Sequence, residues 1–93
     1  MLSKEFVDRA FAIARELMED PEWAWHIEGV DDRFIRFKNG KNVGADKLRE
    51  MYPGLLEADI SNAAAGSIIK KATKGQNCVT KPMREIARRI RQG

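Results

Sequence analysis

Ninety-three residues, 43% hydrophobic and 33% charged, suffice for one domain with a modest core. No apolar run is long enough to span a bilayer, and the opening MLSKEFVDRA lacks the apolar stretch of a secretory signal. A single cysteine, Cys78, excludes an internal disulfide framework and fits a reducing, cytoplasmic setting.

Charge is unevenly spread. The formal balance is +3, yet residues 1–46 carry seven Lys/Arg against ten Asp/Glu, and residues 47–93 carry ten against four. From Lys70 onward eight basic residues accompany one acid, Glu85. Such asymmetry points to an anionic partner for the basic half, or else to a solvated basic helix.

Ser3 is a good N-cap residue, and Phe6, Ala10, Ile13, Ala14, Leu17 and Met18 follow at helical spacing. This predicts an amphipathic helix over residues 1–20, ending before Pro21, which disfavours helical geometry in its predecessor. Over residues 23–43 the period changes. Trp23, Trp25 and Ile27 alternate with Ala24, His26 and Glu28, as in a strand. Residues 29–32 suit a turn, and residues 33–38 are rich in aromatic and β-branched side chains. Asn39-Gly40 is a strong signal for a two-residue hairpin turn into a short strand at 41–43. The expectation is a small antiparallel hairpin or meander, stable only when packed on helices.

Residues 45–75 read as two helices around a break. Leu48, Met51 and Tyr52 line the first, and Pro53-Gly54 ends it. Asp59 is the expected N-cap of the second. Its apolar side would hold Ile60, Ala63, Ala64, Ser67, Ile68 and Ala72, with Ser61, Asn62, Ala65, Ile69 and Lys70 elsewhere. Gly75 is a natural stop. The small residues at 63–67 would admit a close neighbour: a core helix, a second subunit or a DNA backbone. After a loop at 76–79, Thr80 is expected to cap a last helix over 80–92, with Pro82 in its first turn. Met83, Ile86, Ala87 and Ile90 share one face of it, and Arg84, Arg88, Arg89 and Arg91 cover much of the rest. Cations near a helix C-terminus also suit its dipole. The fold class is therefore α+β in a single domain, residues 1–93: one helix, a hairpin or meander, then three helices.

The stretch from Asp46 to Ala65 resembles the helix-turn-helix of small phage-repressor-type DNA-binding proteins. Gly54, Leu55 and Ile60 stand where that family places its turn glycine, the apolar residue after it and a β-branched residue, and Ala63 stands where a further buried residue is expected. Glu50 and Pro53 depart from the pattern, at positions where the family prefers a small and an apolar residue. The resemblance implies a regulatory DNA-binding protein, phage or plasmid encoded, whose second helix enters the major groove, commonly as a dimer on two half-sites. It would place Ser61, Asn62 and Ala65 toward the bases, since Asn can bond adenine bidentately and Ser several base edges. Lys70, Lys71, Lys74, Arg84, Arg88, Arg89 and Arg91 would bind phosphates.

Two other readings remain. Trp23, Trp25 or the basic helix could form a hot spot for a host protein, as in a small inhibitor from a mobile element. The interleaved basic and aromatic residues Arg33–Lys38 could stack on RNA bases. Catalysis finds no support: His26 and Cys78 are the sole residues of their types and lie far apart in sequence. They are too few soft ligands for zinc, and Gly40, Gly44 and Gly54 lack the spacing of a phosphate loop. No cofactor or metal is expected.

Overall fold

The computed structural model describes residues 2–57, 59–74 and 77–93. Helix α1 spans Ser3–Met18. Ser3 is its first helical residue; Leu2 occupies the cap position, and no side chain closes it. Phe6, Ala10, Ala14 and Leu17 are fully buried, one stripe at helical spacing.

The segment after α1 is not a strand. Asp20 gathers it: the Asp20 carbonyl accepts from the N–H groups of Trp23 (3.0 Å) and Ala24 (2.8 Å), and its carboxylate from that of Glu22 (2.9 Å). Ala24–His26 consequently coils into a 3-10 turn, and strand β1 starts only at Ile27 (Ile27–Val30). Local hydrogen bonding to Asp20, two bonds at its backbone carbonyl and one at its carboxylate, has overridden the alternating pattern.

Strands β2 (Phe34–Phe37) and β3 (Asn42–Gly44) complete an antiparallel sheet of order β1-β2-β3. The Asp31 carboxylate accepts from the N–H groups of Arg33 (3.0 Å) and Phe34 (2.9 Å), which closes the first turn. Those bonds, Arg33 first, hold its carboxyl below the usual range. The second turn is longer than the two residues expected. Lys38–Gly40 coil as a 3-10 turn, Gly40 takes φ +75°, and the Phe37 N–H bonds the Lys41 carbonyl at 2.6 Å. A three-residue loop ending in a left-handed residue needs glycine at its last position.

Ile27, Ile35, Phe37 and Val43 face the core, while Arg36 and Asn42 face outward. Phe34 also faces outward, but its ring lies over its cross-strand partner Gly44, where a Cβ would come within 3.1 Å of it.

Helix α2 (Ala45–Met51) and helix α3 (Asn62–Ala72) are joined by residues 52–61, which include a 3-10 turn at Gly54–Leu56. This connection is longer than the three- or four-residue turn of a helix-turn-helix. Leu55 is fully buried within it.

Two expectations for α3 need correction. Ser61, not Asp59, is the N-cap: its Oγ accepts from the Ala64 N–H at 3.0 Å. The buried face is Ala65, Gly66, Ile69 and Ala72, whereas Ala63, Ala64 and Ser67 are exposed. Small residues stand on both sides of this helix and Ile68 and Ile69 are adjacent, so periodicity could not choose the face. Lys74, at φ 56°, takes the left-handed position just after α3; the expected stop at Gly75, like Gln76, lies outside the described residues.

Helix α4 (Asn77–Gln92) begins upstream of Thr80, which leaves Pro82 within the helix rather than in its first turn. Val79 is fully buried, and that burial favours the earlier start. The helix packs against α1 on one side and α3 on the other, and α1 also rests on β1. Among the described residues no helix is long and apolar enough to cross a membrane.

The nearest foreign atom to a Cβ built at Gly66 is Thr80 Cγ2, at 3.8 Å. Gly66→Ala should therefore raise stability by about 0.5–1 kcal/mol through helix propensity alone, read as a higher urea midpoint. A lower midpoint would mean that a closer contact requires the glycine.

The rotated face of α3 is tested separately. Ile69→Ala should cost roughly 2–5 kcal/mol in urea denaturation, and Ile68→Ala clearly less. Equal losses would mean that α3 is turned the other way.

Candidate nucleic-acid interface

Helix α4 carries two stripes. Val79, Met83, Ile86 and Ile90 are buried along one side. Lys81, Arg84, Arg88 and Arg91 follow one another at i, i+3, i+7 and i+10, which aligns them along a neighbouring side. Burial of the first stripe forces the second to the edge of the α3–α4 contact.

There the basic stripe meets the start of α3. Ser61, Asn62, Arg84, Arg88 and Arg91 line one cleft of about 260 Å³, together with Lys81, Glu85, Trp23 and an apolar floor of Ile60, Ala65 and Ala87. Ser61 and Asn62 are exposed at its rim. Ala65, expected to be exposed, is instead 7% accessible and can offer only floor.

The cations of α4 are not equivalent. The Glu85 carboxylate accepts from Arg88 Nε (2.8 Å) and Nη2 (2.7 Å) and from Arg89 Nε (2.7 Å). Arg89 also reaches Asp20 at 3.4 Å, which ties α4 to the end of α1 and turns Arg89 away from the basic stripe. Arg89 is thus a structural clamp and not a cleft residue. Hydrogen bonding from Arg88, opposed by burial and reinforced by Arg89, holds the Glu85 carboxyl at about 2.

Lys81, Arg84 and Arg91 carry no ion pair among the described residues. Lys81 Nζ stands 5.6 Å from the Trp23 ring centroid. Arg84 Nε is buried and has no hydrogen-bond partner.

Lys70, Lys71 and Lys74 lie elsewhere. Lys70 and Lys71 share the outer side of α3 with Ala63, Ala64 and Ser67, roughly two turns from its start, Lys74 follows the end of the helix, and Lys71 borders a groove with Tyr52, Pro53 and Ile68. The proposed phosphate contacts therefore fall into two surfaces: a concave one at Arg84, Arg88 and Arg91, and an open one at the three lysines.

Lys81 escaped the sequence reading, and Trp23, expected beside Trp25 on an exposed protein-contact surface, is instead buried at the cleft. The i, i+3, i+7, i+10 spacing from Lys81 to Arg91 was present in the chain and could have found the lysine. Nothing local could have placed Trp23 beside α4. Its ring is buried, and a row of rings leads from it across the surface. His26 lies 5.3 Å from Trp23 and stacks on Trp25 at 5.4 Å, and Lys38 Nζ covers Trp25 at 3.0 Å. Trp25 itself is 59% exposed. On β2, Phe37 points inward and Arg36 approaches Asp31 at 4.0 Å, so the strand offers only Phe34 as an outward ring.

Comparison with protein-family models, curated proteins and solved structures gives no match.

The clamp predicts a pH dependence of stability. The folded Glu85 carboxyl titrates at about 2, against 4.5 for the free group. The unfolded chain therefore takes up the proton first. The contribution is full above the unfolded value and disappears as pH falls toward the folded one. Glu85→Gln should cost about 2 kcal/mol at neutral pH and progressively less below pH ~4. Urea titrations at several pH values measure this, and an undiminished penalty at the acid end would assign the loss to packing.

Proposed function

We propose that this chain binds double-stranded DNA, as a small cytoplasmic regulatory protein. The observation that carries this reading is the meeting of the Lys81–Arg84–Arg88–Arg91 stripe with the exposed start of α3 in one cleft. Phosphates engage the cations, which supplies affinity without sequence information. Asn62, at the exposed end of α3, offers an amide suited to a base edge. Ser61 is partly committed, since its oxygen caps the helix, but its hydroxyl hydrogen is free to donate. The outer side of α3, with only Ala63, Ala64 and Ser67 before its lysines, is slender enough to approach a groove. The reading rests on this surface and not on the length of the α2–α3 connection. A homodimer reading two half-sites would extend the same contact.

The exposure of Trp25 favours a second reading, a contact with another protein, because exposed tryptophans are enriched at binding hot spots. The two separate on one pair of variants. Trp25→Ala should leave DNA affinity unchanged, whereas the double change Arg84→Ala/Arg91→Ala should weaken it.

Fluorescence anisotropy with a labelled random-sequence duplex, titrated at low and moderate salt, provides the test. Affinity should fall steeply with salt, and the double arginine variant should lower the slope of log K against log salt by about 2. Absence of binding at low salt would remove the reading.

A further inference from the structure

The cleft holds more positive charge than the fold uses. Glu85 engages Arg88 and Arg89, while Lys81, Arg84 and Arg91 line the same space without an ion pair among the described residues. Arg84 adds a separate anomaly. Its Nε is buried and makes no hydrogen bond, although a guanidinium N–H taken from water without a partner is costly. Arg84 as a whole is only partly buried and lines the cleft, so an anion seated there meets its guanidinium.

We propose that this cleft seats the terminal phosphate monoester of a DNA end; the inference rests on the DNA-binding reading above. An internal phosphodiester carries one charge and is tethered to a sugar on each side, so it meets the cations from outside. A terminal monoester projects on a single bond, carries nearly two charges at neutral pH and offers three strong acceptor oxygens. Those properties suit three unpaired cations around a narrow space. A cleft of about 260 Å³ has room for a phosphate group. Arg84 donates from the wall, and Lys81 and Arg91 close over the oxygens. Ser61 donates its hydroxyl at the rim, where the start of α3 adds a favourable field. The Ile60, Ala65 and Ala87 floor takes the deoxyribose. Glu85 does not repel the ligand, because Arg88 and Arg89 already neutralise its carboxylate.

The experiment compares three hairpin duplexes of one sequence by anisotropy: unphosphorylated, 5′-phosphorylated and 3′-phosphorylated. At least one phosphorylated end should bind roughly tenfold more tightly than the unphosphorylated duplex, the worth of one or two charge-assisted hydrogen bonds. Which end gains identifies the polarity. Arg84→Gln should bring the phosphorylated and unphosphorylated duplexes to equal affinity, while also weakening the unphosphorylated duplex by the loss of one phosphate contact. Should Arg84→Gln fail to fold, the exposed Arg91→Gln reads the same preference. Equal affinity for all three duplexes overturns the inference and leaves general DNA binding standing. Binding of none overturns both. A preference that survives Arg84→Gln and Arg91→Gln, or stronger competition by a phosphoserine peptide than by the phosphorylated hairpin, also overturns it.

Discussion

Burial of the apolar side of α4 between α1 and α3 is the constraint on which the rest depends. Val79, Met83, Ile86 and Ile90 are almost completely removed from water, and each such side chain stabilises the fold by about 1.5–3 kcal/mol relative to exposure. Once that side is committed, helical geometry leaves no freedom for the cations on the remaining surface. Lys81, Arg84, Arg88 and Arg91 must run along the α3 edge. Arg89, a quarter-turn away on the other flank of Glu85, must face α1. The division between a clamp and a cleft follows from the rotation of one helix.

Glu85 links the two. It is the sole acid among the last twenty-four residues, and its side chain is 11% exposed. By accepting from Arg88 and Arg89 together, it anchors α4 to the end of α1 through Asp20 and orders the basic stripe beside it. The most basic part of the chain thus carries a carboxylate at its centre without losing its positive face. Asp20 serves twice, since it also gathers the turn that delivers Trp23 to the cleft.

Regularity decided which elements could be read in advance. The α1 stripe and the α4 stripe each repeat over several turns, so their buried sides were plain from spacing. The Trp23–Trp25 alternation is too short for that. Three hydrogen bonds to Asp20 outweighed it and made a turn of the expected strand. On α3 the pattern was degenerate, because alanines occupy both sides and two isoleucines are adjacent. Packing against α4 selected Ala65 and Ile69 over Ala64 and Ile68. The cleft shares this history: its arginines were evident from charge, whereas Lys81, the position of Trp23 beside α4 and the enclosed position of Ala65 were not.

The order of elements, the antiparallel sheet, the basic character of the second half and the inward side of the longest helices were determined by the sequence alone. Those features depend on periodicity and composition, which are local. The orientation of α3, the separation of Lys70, Lys71 and Lys74 from the arginines, the pairing of Arg89 with Asp20 and the burial of Arg84 Nε were decided only by the tertiary structure. Each requires contact between residues distant in the chain, and no local preference distinguishes a cation that will be paired from one left bare.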